Sequence, residues 1–269
     1  MRRTLMWATL GVLTLPIAIA ACDRGTDDAE PCKLATPPSA VAHPDPSGVT
    51  VTEQGWSTVR TDGNHYLGVS IGLMLKNTTD RVAYHTRVAF QALGASGASV
   101  VLESQAKYQV VEVPILLPGA TIAVGNTLIA GEESATDRIS VTPAVTSWLP
   151  TGGPDNGLAP VTATIDARAS KRSDDGAAAV TMTVHSGNCD QLFTRGTAYV
   201  WRDSTGKIVG GQIGAGADCA KSGANLGPVT FHLDEGRVPA IVDMTRTTVS
   251  PYCDLSNRPS GATSAEPFN

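Results

Sequence analysis

Three short boxes carry the residue types of a serine acyl-transfer centre: Ser104-Gln105-Ala106-Lys107, Ser186-Gly187-Asn188 and Lys221-Ser222-Gly223. A serine hydroxyl is a weak nucleophile until its proton is taken, and neighbouring lysines could manage that proton. Five cysteines, Cys22, Cys32, Cys189, Cys219 and Cys253, could pair, ligate a metal or accept a lipid. Five histidines, His43, His65, His85, His185 and His232, are the remaining groups suited to moving a proton or holding a metal near neutral pH.

The elements that would have to position these groups argue against catalysis. The boxes resemble, in order, the S-x-x-K, S-x-N and K-T/S-G boxes of serine β-lactamases and penicillin-binding proteins. That resemblance implies a serine at the start of a buried helix, yet Ser104 follows the strand-like Ser99-Val100-Val101-Leu102. Short boxes recur by chance in a chain rich in Ser, Lys and Gly, so the expectation is a protein that is not an enzyme, with serine acyl transfer as a remote alternative. No C-x-x-C pair supports zinc. His43 lies in a polar leader, and the other four histidines fall at or within strands, where a solvated ring is expected and no metal. No Gly-rich loop opens a helix, so neither a phosphate cradle nor any cofactor is expected.

The strands themselves come from an internal repeat. VSIGLMLKNTTD from Val69 falls on AAVTMTVHSGNC from Ala178, 109 residues later, and AFQALGASG from Ala89 falls on AYVWRDSTG from Ala198. Val69, Ile71, Leu73 and Leu75 alternate with Ser70, Gly72, Met74 and Lys76, and the second copy keeps that period of two. Such alternation is the mark of a strand with one buried face. Further on, Ala120, Ile122 and Val124 match Val229, Phe231 and Leu233. Two copies of one sheet domain follow.

Turn signals such as Asp62-Gly63-Asn64, Pro118-Gly119, Asp174-Asp175-Gly176 and Ser204 to Gly206 separate short apolar runs, and no helical stretch intervenes. The fold class is therefore all-β, and each copy is close to the ~100 residues of an immunoglobulin-like sandwich. At Tyr199, the stretch Y-V-W-R-D-S-T-G is similar to the F-x-L-Y-D-x-x-G core of FxLYD-type domains. Tyr199, Trp201 and Arg202 replace Phe, Leu and Tyr, while Asp203 and Gly206 stand as in the pattern; the first copy keeps only Phe90 and Gly97. The resemblance implies a small extracellular sandwich module and carries no catalytic residues. Asp203 to Gly206 itself reads as a hairpin turn.

The first 21 residues read as an export signal. Arg2 and Arg3 precede a mostly apolar run that ends in Ile19-Ala20-Ala21-Cys22, which resembles the lipobox of bacterial lipoproteins. The resemblance implies cleavage after residue 21 and acylation of Cys22. The expected division is a signal peptide (1–21), a flexible leash (22–48), two tandem sandwich domains (49–149 and 158–254) joined by a linker (150–157), and a flexible tail (255–269). Residue bias toward Ala, Gly, Thr and Asp suggests an actinobacterial source, which would place the protein on the outer face of the cell membrane.

Loss of the first 21 residues removes two arginines and leaves 18 basic against 25 acidic residues, a net charge of −7. Such a surface repels phosphates, so nucleic acid is not an expected partner, and the lipid bilayer is reached only through acylated Cys22. The other four cysteines are even in number, which fits disulfides in an oxidising compartment. An up-and-down reading of the second copy gathers Cys189, Cys219 and Cys253 at one end. The short closed loop favours Cys189 with Cys219, leaving Cys32 for Cys253. Trp56 and Trp148 lie near the edges of the first domain and are the candidate contact aromatics, whereas Tyr199 and Trp201 share one face of a central strand and read as core. The expected function is a non-catalytic binding or structural module of the cell envelope with an envelope protein as partner; the alternative is an accessory or small-ligand-binding subunit of an envelope or transporter complex.

Overall fold

Runs of alternating and β-branched side chains become antiparallel strands, and the computed structural model describes them within residues 32–37, 44–60, 67–131, 135–149, 157–224, 226–234 and 236–257. The signal peptide, Cys22, His43, His65 and most of the linker lie outside the described residues. In the first copy the strands are β1 (Val49–Arg60), β2 (Leu67–Asn77), β3 (Val82–Leu93), β4 (Val110–Leu116), β5 (Thr121–Ala130) and β6 (Arg138–Leu149). They form two sheets, β1-β2-β5 and β4-β3-β6, every pair antiparallel. Ile71, Leu73, Val88, Phe90, Val113 and Val145 fill the space between them, fully buried. Each such side chain stabilises the fold by about 1.5–3 kcal/mol.

The second copy repeats this order strand for strand. Its strands are β7 (Val161–Ile165), β8 (Lys171–Arg172), β9 (Ala178–Ser186), β10 (Phe193–Arg202), β11 (Ile208–Gly214), β12 (Val229–Leu233) and β13 (Thr248–Asp254). Sheet β7-β9-β12, with β8 added on β9, matches β1-β2-β5, and sheet β11-β10-β13 matches β4-β3-β6. Val180, Met182, Tyr199, Trp201 and Val209 form its core. Tyr199 and Trp201 stack with ring centroids 5.4 Å apart. The turn between β10 and β11 forms as the sequence indicates: Asp203 Oδ1 accepts from the amides of Thr205 and Lys207, and Gly206 takes φ +89°.

The two sandwiches are stacked sheet on sheet, with β1-β2-β5 against β11-β10-β13. Gly55, Gly72 and Gly125 stand directly opposite one another across β1, β2 and β5. A Cβ on Gly72 would lie 2.1 Å from the Gly210 carbonyl oxygen, and one on Gly125 would lie 2.3 Å from the Gln212 nitrogen. Packed sheets usually stand ~10 Å apart, so this row lets β11 come in to backbone contact. Ser70 Oγ then bonds both polar groups of Gly211, accepting from its N–H at 3.0 Å and donating to its carbonyl at 3.1 Å. Ser57 donates to the Val209 carbonyl, and Tyr252 donates to the Ala123 carbonyl. Ala198, Val200, Ile208 and Tyr252 of the second copy join the hydrophobic cluster of the first. Strand β2 is therefore buried on both faces over most of its length, not on the one face that its alternation suggests. The repeat places Thr181 where the first copy has Gly72, so the matching face of the second sandwich has no comparable glycine at that point.

Part of the leash is structured. Leu34 packs against the cluster of Leu192, Cys219 and Cys253, Ala35 packs against that of Val82, Tyr84 and Leu149, and Asp45 exchanges two backbone hydrogen bonds with Val145, both at 2.7 Å. Asp45 also accepts from Trp148 Nε1. Four cysteines form two disulfides, but not with the partners expected: Cys32 bonds Cys189 and Cys219 bonds Cys253. The reason is the path after β11. Residues 215–220 pass over the end of β10, where Ala217 N–H donates to Thr197 Oγ1 and Leu192 N–H donates to the Cys219 carbonyl. Cys219 thereby reaches β13 beneath the Cys189 loop, which leaves Cys189 to the leash.

Candidate functional site

Stacking two sandwiches leaves crevices along their junction, and one of them holds about 480 Å³. This is within the ~300–1,000 Å³ of small-molecule sites. From the first copy, the 3-10 helix Glu103–Gln109 contributes Gln105 and Tyr108, and β5 contributes Asn126. From the second, β11 contributes Gln212, and the end of β12 and its following loop contribute His232, Asp234 and Arg237. Apolar walls are supplied by Val110, Ile213 and Leu233.

The floor of this crevice is polar and incompletely satisfied. Asn126 is buried and donates from Nδ2 to the Tyr108 carbonyl at 2.8 Å, which fixes the 3-10 helix over β5 and leaves Oδ1 as an acceptor. Gln212 is only 5 % exposed, and its Oε1 is enclosed without a hydrogen-bond partner among the described residues. A buried amide oxygen left unpaired costs about 1–3 kcal/mol. Tyr108 is 40 % exposed at the mouth, with Lys107 Nζ 5.0 Å from its ring centroid.

A second crevice of about 350 Å³ is apolar, formed by Ile115, Leu117 and Ile122 of the first copy facing Leu158, Val161 and Pro251 of the second. A third, about 340 Å³, lies beside Trp56 and includes Asp137, Arg138 and Lys207.

A buried ionic cluster ties the copies together at the same junction. Asp254, fully buried on β13, accepts from Tyr84 Oη at 2.8 Å and from Arg195 Nε at 2.9 Å, and it lies 3.0 Å from His85 Nε2. Glu112 faces the other side of that ring, its Oε1 3.4 Å from His85 Nδ1. Arg195 also donates to the carbonyl of Ser256, holding the chain beyond β13. His85 has φ +54°, a left-handed conformation rare for a non-glycine residue. Successive residues of a strand point to opposite faces; the left-handed turn instead brings the Tyr84 and His85 rings into a stack 4.0 Å apart, both aimed at Asp254. His85 lies opposite Pro114, which has no N–H to give to the ladder. Burial pushes the Asp254 carboxyl up, but the hydrogen bonds and charge of His85, with bonds from Tyr84 and Arg195, outweigh it and hold the pKa below the usual 3.8. Glu112 goes the other way: burial raises its pKa above the usual 4.5 despite the nearby His85.

The residues singled out in the sequence fall elsewhere. Ser104 is exposed on the 3-10 helix. Ser186 Oγ accepts from the backbone and side-chain amides of Asn188, whose carbonyl accepts from Ser222 N–H at 2.7 Å. These last two boxes therefore touch each other, but neither lines the crevice beside the helix that carries Ser104. His185 and His232 are exposed, as a solvated strand histidine should be, whereas His85 is buried in the ionic cluster. Trp148 is half-buried, with the Arg81 guanidinium 4.4 Å over its ring, and Trp56 is half-buried on β1 against the first core. Asn77, the first residue of an N-x-T triplet, is buried and caps its own turn, donating to the Arg81 and Leu116 carbonyls. Among the described residues no three His, Cys, Asp or Glu side chains are grouped to hold a metal, and no helix is long and apolar enough to cross a membrane.

The sequence reading missed both Gln212 and the Tyr84–His85–Asp254–Arg195 cluster. A glutamine between Gly211 and Ile213 in an otherwise small and apolar strand was the available signal for the first. Nothing in the spacing of the others indicates that residues about 170 positions apart would meet. Compared with known protein families, with curated proteins and with solved structures, the chain matches none.

Proposed function

We propose that the chain is a lipid-anchored protein of the bacterial cell surface that works by non-catalytic binding, its two repeats being immunoglobulin-like sandwiches of the FxLYD type. The observation that carries the binding role is the polar crevice of about 480 Å³, whose walls come from both copies and whose position is fixed by backbone contact between them. Two disulfides are in keeping with an exported protein. The repeated pairing order, three strands facing three in the first copy and four facing three in the second with all neighbours antiparallel, supports the immunoglobulin-like reading. The sequence up to Cys22 supports the lipid anchor and a place on the outer face of the membrane.

The apolar crevice favours a second reading, an accessory or small-ligand-binding subunit of an envelope or transporter complex. Its walls also come from both copies, so it has a fixed shape suited to an apolar group. A photo-cross-linking residue in place of Tyr108, with a second variant bearing it in place of the remote His185, tests the main reading in intact cells. An adduct formed at 108 and absent at 185 supports a binding role for the polar crevice. Equal labelling at both positions, or none at 108, argues against it.

A further inference from the structure

We infer that the polar crevice takes a saccharide, with the amide of Gln212 reading a ring hydroxyl. The inference rests on the binding role proposed above and names its ligand class. A sugar ring has two chemical requirements: hydrogen-bonding partners for hydroxyls that both donate and accept, and an apolar surface for the C–H face. The crevice has both. Gln212 and Asn126 supply amides, and an amide offers donor and acceptor ends that exchange when it turns about its last torsion. Asp234 and Arg237 stand on the same wall. Their planar forks are of the kind that can engage two neighbouring hydroxyls at once, one accepting and one donating. Tyr108 offers an exposed aromatic ring, and the apolar side chains of Ile213 and Leu233 line the same crevice.

Gln212 is the residue that separates a binding site from an incidental gap. Among the described residues nothing uses its side-chain oxygen, which is enclosed and unpaired in a strand whose neighbours Gly210, Gly211, Ile213 and Gly214 are small or apolar. A leucine there would avoid the unpaired group, so the amide is a structural cost with no structural return. A polar ligand gives it a partner. The alternatives fit less well. A lipid chain would leave Gln212, Asn126 and Asp234 desolvated, and a phosphate would face the Asp234 carboxylate.

The test is a titration of the purified full chain with defined tri- to hexasaccharides of the chito-, manno-, arabino- and galacto- series, followed by saturation-transfer NMR and calorimetry. Binding of at least one series is expected, weakened at least tenfold by Asp234→Ala and by Tyr108→Ala and unchanged by His185→Ala. Gln212→Leu should also abolish binding while leaving the unfolding midpoint equal to or above that of the wild type, a combination that a merely structural glutamine would not give. Absence of binding in all four series, or binding that survives Gln212→Leu and Asp234→Ala, overturns the inference. If saccharides fail but cross-linking at 108 still gives a specific adduct, the ligand class is wrong and the binding role stands. If both fail, the binding role falls as well.

Discussion

Replacing Asp254 by alanine should be among the most damaging single changes in the protein. Its carboxylate is fully buried and is the common acceptor for Tyr84, His85 and Arg195 at 2.8 to 3.0 Å. Truncation removes the carboxylate that faces the Arg195 guanidinium, whose side chain is 10 % exposed, and an acceptor of the Tyr84 hydroxyl. Removing one partner of a buried ion pair costs about 3–5 kcal/mol. Against a total stability of roughly 5–15 kcal/mol, that is a large fraction, and for a chain of this size it corresponds to a fall of about 6–20 °C in Tm. Guanidinium unfolding of Asp254→Ala beside the wild type measures it. The pH dependence gives an independent reading. The folded pKa of Asp254 lies below the unfolded value near 3.8, so its stabilisation is complete above that pH and is lost as pH falls through the depressed folded value. The part of the gap between wild type and variant that comes from the Asp254 carboxylate itself should thus be present above about pH 4 and be lost below it. A cost under about 1 kcal/mol at pH 7, where a surface ion pair would fall, would refute the cluster as the tie between the copies.

Further outcomes can be checked independently. Gly72→Val should destabilise by about 3 kcal/mol or more, above the usual range for overpacking, because its Cβ meets the Gly210 backbone and not a side chain that can turn away; chemical denaturation reads it. Non-reducing peptide mapping should recover Cys32 joined to Cys189 and Cys219 joined to Cys253, and Cys219→Ser should cost about 2–5 kcal/mol. Cys22→Ser should abolish metabolic labelling with a fatty acid, and labelling that persists would remove the lipid anchor from the account.

The repeat was the most legible feature of the sequence because a period of two survives substitution: Val69, Ile71, Leu73 and Leu75 set one face of β2 whatever covers the other. The covering of that second face was not legible as such. Its signal was present in Gly55, Gly72 and Gly125, since a glycine inside a strand often marks a close backbone approach. Only the register, which pairs Gly55 with Gly72 and Gly72 with Gly125, turns three separate glycines into one row. The disulfides failed for a related reason. Strand direction placed three cysteines at one end, but the choice between them depended on residues 215–220 crossing β10, a loop path with no period to read. Likewise His85 looked like a strand histidine because its neighbours are strand residues; its left-handed backbone, which turns it into the ionic cluster, leaves no mark in the residue pattern. The crevice residues come from two copies, and their meeting depends on how those copies stack.

That stacking is the central claim, and differential scanning calorimetry of the purified protein tests it most directly. Two sandwiches that share Ala198, Val200, Ile208 and Tyr252 with the first core, and that meet backbone to backbone at the glycine row, should melt together. The expected result is a single transition whose calorimetric and van't Hoff enthalpies agree, the mark of one cooperative unit. Two resolved transitions, each with the enthalpy of about half the chain, would show that the repeats fold as independent beads and would remove the fixed crevice on which the binding role depends.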